Sequence, residues 1–186
     1  MTEKDKMLAG DLYNPADPEL MKERHAVRLL SHKFNNLSEE NLEERQNILY
    51  KIFKHADENL FVEPPFYCDY GSNIKAGKNL FINFNCCILD VAQVTIGDNC
   101  MFGPQVQIYT ATHPLEFKER NSGKEYAKPI TIGNNVWIGG NATICPGVTL
   151  GNNVVVGSGA VVTKSFPDNV VIVGNPAKII KTINNT

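Results

Sequence analysis

Aliphatic residues recur every six positions in the second half of the chain, at Ile132, Ile138, Ile144, Leu150, Val156 and Val162. Glycine follows directly at Gly133, Gly139, Gly151 and Gly157. Small apolar residues stand four places on, at Val136, Ala142, Val148, Val154 and Ala160. The same phase is present at Ile96-Gly97 and Phe102-Gly103, with Cys100 and Val106 four residues later. A period of six fits neither the 3.6 of a helix nor the 2 of an alternating strand. It predicts a parallel β-helix in which each hexad makes one short side and a turn, with three hexads to a triangular coil. Coils then stack about 4.8 Å apart. The aliphatic residue points inward, the small residue fills the corner, and glycine supplies backbone freedom at the bend. No coil buries its own apolar face, so stability resides in the stack.

Elsewhere the pattern changes. Ile74, Leu80 and Cys86 share a phase that slips before Ile96, which predicts a bulge or an enlarged corner. Residues 109–129 abandon the repeat for a polar stretch, read as a loop ejected from a rigid scaffold and a natural place for function. Residues 1–60 read as a helical cap. Asp17-Pro18-Glu19 is a helix start, and Met21, Val27, Leu30 and Phe34 form its apolar stripe. Ser38-Glu39-Glu40 signals a second start, with Leu42, Ile48, Leu49, Ile52 and Phe53 as the buried face. These helices are expected to cover the open edge of the first coil. The solenoid is placed at 61–175, beginning in earnest near Phe66. Residues 176–186 are expected to form a short C-terminal helix over the last coil.

With 186 residues, the chain suffices for one substantial domain and a small appendage. A net charge of -2 with mixed signs gives no basis for nucleic-acid or membrane-surface binding. No apolar run approaches the ~20 residues of a membrane span, and the first residues lack a signal-peptide core, so a cytoplasmic location is expected. Cys68, Cys86, Cys87, Cys100 and Cys145 are odd in number and include no CxxC, which fits a reducing compartment.

Candidate chemistry gathers around the ejected loop. His113 is the only histidine in the repeat region; His25, His32 and His55 fall in the presumed helical part. A neutral imidazole at the loop's root can take a proton from an alcohol near pH 7, or simply bond a neighbouring carbonyl. Glu125, at the loop's far end, can return to orient that ring. Asn83 can donate to an oxyanion, or serve as a corner residue. Asp69, Asp90 and Asp17 can accept from sugar hydroxyls, although a helix cap already explains Asp17. Lys164, Lys178 and Lys181 suit a phosphate-rich ligand along the final coils, with the last two sharing one face of the expected helix. Trp137, the one tryptophan, alternates outward and can meet a ligand's apolar arm or a second subunit.

The segments ATHP (111–114), PITIGNNVWIGGNATICPGVTLG (129–151), SGAVVTK (158–164) and GNPAKII (174–180), with the opening KMLAGDLYNPADPEL, resemble the hexapeptide-repeat sugar O-acetyltransferases. The likeness is greatest to the maltose acetyltransferase branch, with galactoside and nodulation acetyltransferases as relatives. It implies a left-handed parallel β-helix, a homotrimer with active sites between subunits, and acetyl-CoA as cosubstrate without a metal. By that resemblance His113 is the base and Asn83 the stabiliser of the transition state. Trp137, Gly140, Ser158, Thr163, Lys164, Lys178 and Lys181 fall on acetyl-CoA contacts, and Asp69, Asn83 and, less directly, Asp17 on acceptor contacts. The galactoside branch has arginines at the positions of Lys178 and Lys181 and a second acid at that of Val91, so a maltose- or glucose-like acceptor is favoured. A non-sugar alcohol acceptor and a non-catalytic trimeric binding scaffold remain open. A zinc enzyme on this fold would need about three histidines, which the repeat region does not have.

Overall fold

The computed structural model describes residues 1–184, and its body is a three-faced parallel β-helix. The first face stacks β1 (His55–Ala56), β4 (Ile74–Ala76), β7 (Val94–Ile96), β12 (Ile130–Ile132) and β15 (Thr149–Leu150). The second stacks β2 (Phe61–Val62), β5 (Phe81–Ile82), β8 (Met101–Phe102), β13 (Trp137–Ile138), β16 (Val155–Val156), β18 (Val170–Val173) and finally β19 (Lys178–Thr182). The third stacks β3 (Phe66–Cys68), β6 (Cys86–Leu89), β9 (Gln107–Tyr109), β14 (Thr143–Ile144) and β17 (Val161–Val162). Repeat aliphatics sit in register inside the prism: Ile82, Phe102, Ile138 and Val156 line up on one face, Ile88, Ile108, Ile144 and Val162 on another. All of these are buried. The five cysteines are free, and Cys86 and Cys100 occupy the small inward corner positions.

The phase slip has a simple geometry. Equivalent residues in successive coils lie 20, 20, 36, 18 and 16 residues apart. Three hexads account for 18. The excess of the longer coils falls at one edge of the prism, between the third and first faces, at residues 69–73, 90–93 and 110–129. Every irregularity of the repeat therefore opens on the same edge.

Glycine's role at the opposite corner differs from the expectation. Gly97 has no left-handed backbone; instead a Cβ there would lie 2.7 Å from the carbonyl carbon of Gly133 in the next coil. Space, not flexibility, excludes a side chain. The left-handed position falls two residues later, on Asn99 (φ 57°) and its equivalent Asn135 (φ 56°). Asparagine tolerates that region better than other L residues. The side chains also form a ladder, with Asn59 donating to Asn79 and Asn79 to Asn99, each at 2.8 Å.

Two helices close the first coil, α2 (Pro18–Asn36) and α3 (Leu42–Ile52), while α1 (Glu3–Ala9) packs against α2 and the strand Tyr126–Ala127. Asp17 caps α2 as the sequence predicts, but α3 begins at Leu42 rather than after Ser38. The buried stripe of α2 is Leu20, Val27, Ser31 and Phe34, while Met21 faces solvent. On α3 the expected Leu42 is likewise exposed. Open strand edges carry unpaired backbone groups, and here side chains satisfy some of them. Asn35 accepts from Phe66 N–H (2.9 Å) and donates to Phe66 C=O (3.0 Å), while Gln46 donates to Leu60 C=O (3.0 Å). The solenoid starts earlier than expected, because His55 lies in β1 and not in a helix.

The expected C-terminal helix is not formed. The segment is β19, antiparallel to β18. The last coil presents an open edge, which a strand can pair and a helix cannot. A register shift beside Val171/Ile172 pairs Lys178 with Val173 and Lys181 with Val171. The bulge thus keeps both lysines on one outward face, as the helix would have done. The final two residues of the expected helix lie outside the described residues.

Candidate active site

The ejected segment folds back as a hairpin. β10 (Ala111–Thr112) pairs antiparallel with β11 (Tyr126–Ala127), Thr112 opposite Tyr126, with α4 (Phe117–Arg120) at the tip. That register brings His113 and Glu125 to facing positions at the end of the ladder. The N-terminal segment joins from the other side: Tyr13 N–H donates to Glu125 C=O at 3.0 Å, and Glu125 N–H to Tyr13 C=O at 3.3 Å. The Tyr13 ring is fully buried and its hydroxyl donates to Glu125 Oε1. Burial, reinforced by the adjacent carboxylate, raises the phenol's pKa, so it stays a donor. Glu125 Oε2 lies 3.8 Å from His113 Nε2. This is an ion-pair distance for an imidazolium, longer than a hydrogen bond. Tyr13 therefore holds Glu125, and Glu125 faces His113, itself half-exposed at the mouth of a cleft.

The cleft has a volume of about 290 Å³ and lies on the edge where the enlarged corners stack; Asp69, Tyr70, Arg24 and Arg28 line it with His113 and Glu125. Its floor depends on Asp90, which is 0 % exposed. Asp90 Oδ1 accepts from the N–H groups of Asp69 (3.0 Å) and Tyr70 (2.9 Å), and Oδ2 from that of Asn73 (3.3 Å). This carboxylate shapes the corner and cannot reach a sugar, which corrects the substrate-contact role expected for it. Burial outweighs its backbone hydrogen bonds and pushes Asp90 up to about 7. Asp69 does line the cleft. Burial raises its pKa, against the opposing pull of the Arg24 and Arg28 guanidinium groups. Arg24 donates to Tyr70 Oη at 2.6 Å and also to Pro15 C=O. Burial takes the Tyr70 phenol up to about 12 although Arg24 opposes it.

The other predicted residues do not all meet here. Asp17 is occupied as the α2 cap, accepting from Glu19 N–H (3.0 Å) and Leu20 N–H (3.4 Å), and does not line the cleft. Asn83 sits at the far end of β6, on the edge between the second and third faces, on the order of 13 Å away at the usual strand rise. Its Oδ1 accepts from Phe84 N–H (2.8 Å), leaving the amide NH2 as the donor end. Gly140 and Ser158 follow on that same edge, one and two coils beyond its Gly103 position. Trp137 is 52 % exposed on the second face beside it. Thr163 and Lys164 lie instead on the His113 edge, after β17, and Lys178 and Lys181 on β19. One chain thus divides the candidates between two edges of the prism. The sequence reading missed Tyr13, Arg24 and Arg28. The two arginines, four apart on α2, carried a readable signal as a cationic stripe on one helix face; Tyr13, outside any periodic segment, carried none.

Comparison with known proteins agrees with this architecture. Residues 6–57 match the maltose acetyltransferase hexapeptide capping motif, 129–164 the bacterial transferase hexapeptide (six repeats), and 93–106 the hexapeptide repeat of succinyl-transferase. A putative acetyltransferase of Dictyostelium discoideum is 56% identical over 98% of this chain and 95% of its own. The crystal structure of a maltose O-acetyltransferase from Clostridium difficile superposes with a TM-score of 0.97 at 50% identity, covering 100% of this chain and 99% of that one. A galactoside acetyltransferase in complex with coenzyme A superposes with a TM-score of 0.96 at 42% identity, covering 99% and 92%. The chain belongs to the hexapeptide-repeat acetyltransferases and is an acyltransferase of the kind that includes the maltose and galactoside O-acetyltransferases.

Proposed function

We propose that this acyltransferase moves an acetyl group from acetyl-CoA to a hydroxyl of a glucose- or maltose-like sugar, by direct attack with His113 as general base. The observation that carries this reading is the Tyr13–Glu125–His113 array at the mouth of a cleft furnished with a carboxylate and two guanidinium groups. Asp69 accepts from, and Arg28 donates to, the acceptor's hydroxyls. As the acceptor oxygen attacks the thioester carbonyl, its proton passes to His113. Glu125, facing one ring nitrogen, stabilises the imidazolium, which then returns the proton to the departing thiolate. The developing oxyanion is met by the Asn83 amide. Holding the two substrates in contact supplies a further large part of the rate.

Asn83 lies on the other edge, so the complete site takes His113 from one copy and Asn83 from another, in a homotrimer. Two features support this. The candidate acetyl-CoA contacts of one chain divide between the His113 edge, which carries Thr163 and Lys164, and the second face with its Asn83 edge, which carry the rest. The second face also carries a stacked outward row, Phe61, Phe81, Met101, Trp137 and Val155, in which Phe61, Met101 and Trp137 are 49%, 51% and 52% exposed. Such a contiguous apolar stripe suits burial against a further copy. In this arrangement Trp137, Gly140 and Ser158 meet the acetyl-CoA arm, Thr163 and Lys164 approach from the His113 edge, and Lys178 and Lys181 take its phosphates.

The test is His113→Ala. Turnover should fall roughly 10²–10⁴-fold, the worth of a positioned base, with thermal stability nearly unchanged because the side chain is half-exposed. Full turnover in that variant contradicts the mechanism. Absence of CoA binding by calorimetry would point instead to a non-catalytic scaffold.

A further inference from the structure

Two tyrosines, Tyr13 and Tyr70, are buried beside the His113 cleft in a small apolar cluster apart from the main core. Phenylalanine would pack there as well, so each hydroxyl calls for its own account. The Tyr13 hydroxyl donates to Glu125. The Tyr70 hydroxyl, on a residue only 2% exposed, accepts from Arg24 Nη1 at 2.6 Å. That contact uses a lone pair. The hydroxyl's own proton has no acceptor among the described residues. A buried hydroxyl seldom leaves this capacity unused.

The surroundings offer that proton to the cleft. Tyr70 lines it together with Arg24, Asp69 and Glu125. Burial keeps the phenol protonated against the pull of Arg24, and the Asp69 and Glu125 carboxylates on the same wall add to this. Neither carboxylate accepts the proton, which is left for a group entering between them. The side chain is also held in advance. Tyr70 N–H donates to Asp90 Oδ1 at 2.9 Å, the Arg24 guanidinium stands 5.7 Å from the ring centre, and Arg24 is itself tied to Pro15 C=O. A hydroxyl that accepts from a cation is polarised into a stronger donor. One fixed beforehand loses little freedom when a ligand arrives.

We infer that the Tyr70 hydroxyl, polarised by Arg24, is a specificity-determining donor that bonds a second hydroxyl of the ring whose first hydroxyl meets His113. The inference rests on the proposed sugar O-acetyltransferase reading and adds to it one residue and the feature that residue selects. The favoured acceptor is a polyol. A lone alcohol, or a ring lacking the second hydroxyl, leaves a buried donor unpaired. Asp69, the preceding residue on the same corner, supplies the matching acceptor.

The experiment measures thiol release from acetyl-CoA with glucose and with its monodeoxy analogues, for wild type and Tyr70→Phe. The analogue without the acetylated hydroxyl is inactive with both proteins. One other analogue should fall about 10–100-fold in kcat/KM with wild type, the cost of an unpaired buried donor. Tyr70→Phe should lower the glucose value by a similar factor and leave KM for acetyl-CoA unchanged. It should also use glucose and that analogue alike, to within about 3-fold, because the interaction is already gone. Equal use of glucose and every remaining analogue by wild type overturns the inference, and this arm needs no variant. Unaltered glucose turnover in Tyr70→Phe overturns it too, as does a loss in that variant that multiplies through the whole panel, the mark of a purely structural hydroxyl. Acetylation of no sugar in the panel, with acetyl-CoA still consumed on a simple alcohol, overturns the sugar reading and the inference with it.

Discussion

Replacing Tyr13 by phenylalanine removes one oxygen from a fully buried ring and leaves its packing intact. What is lost is the hydroxyl that donates to Glu125 Oε1. A hydrogen bond to a charged group contributes about 1.5–3 kcal/mol. Each 1.36 kcal/mol of barrier is tenfold in rate, so a loss felt wholly in the transition state has a ceiling of about 10–150-fold. The backbone bridge between Tyr13 and Glu125, with bonds of 3.0 and 3.3 Å, survives the substitution and keeps the carboxylate nearby. The expected loss is therefore near the lower limit, about 10-fold in kcat. KM for acetyl-CoA should not move, since Tyr13 lies away from Trp137 and the terminal lysines. The assay is steady-state thiol release, repeated for Glu125→Gln and for the double variant. If Tyr13 acts through Glu125, the double variant is no slower than Glu125→Gln alone. Wild-type kcat in Tyr13→Phe, or strictly multiplicative losses in the double variant, would refute the chain of contacts.

The carboxyl of Asp90 has a folded pKa of about 7 against an ordinary value of 3.8, so the folded state binds the extra proton between those limits. Its contribution to stability falls as pH rises from about 4 to about 7 and is level outside that window. Chemical denaturation of wild type against Asp90→Asn should show this decline, and a flat difference would contradict it. Gly97→Ala places a Cβ against the Asn134 side-chain oxygen and 2.7 Å from the carbonyl carbon of Gly133, a backbone clash that remains even if the Asn134 side chain moves, and should destabilise by more than about 2 kcal/mol in urea unfolding. A variant as stable as wild type would refute the close stacking of coils. Lys178→Ala with Lys181→Ala should raise KM for acetyl-CoA roughly 10-fold, as expected for lost charge-assisted phosphate contacts. The difference should shrink at high salt; an unchanged KM would remove these lysines from the site.

Much of the fold is legible because a six-residue period has one geometric solution. Ile132 to Val162 sit where the repeat puts them, and the break at 109–129 marks the edge that carries His113. The residues that misled did so for local reasons. The KIIKT segment is amphipathic enough to read as a short helix, but the edge of β18 offers backbone partners that only a strand can use. The slip before Ile96 does not reveal from sequence that it is the same enlarged corner repeated, because that requires knowing which residues stack. Asp90 looks like a sugar ligand in sequence, and only burial shows its carboxylate already filled by backbone N–H groups. Tyr13 was invisible because its partner is 112 residues away and joined by no periodic pattern. Asn83 and His113 were both legible as candidates. Their separation on different edges of the prism became evident only from the coil count.

That separation gives the most direct test of the account. His113→Ala and Asn83→Ala chains, each inactive alone, should regain thiol-release activity when unfolded together and reassembled, because a mixed oligomer contains sites that draw an intact His113 from one chain and an intact Asn83 from its neighbour. Random mixing in equal amounts predicts about a quarter of wild-type sites. Failure to regain any activity, with mixed oligomers demonstrated by mass, would mean that the base and the oxyanion donor act within one chain, contrary to the shared site.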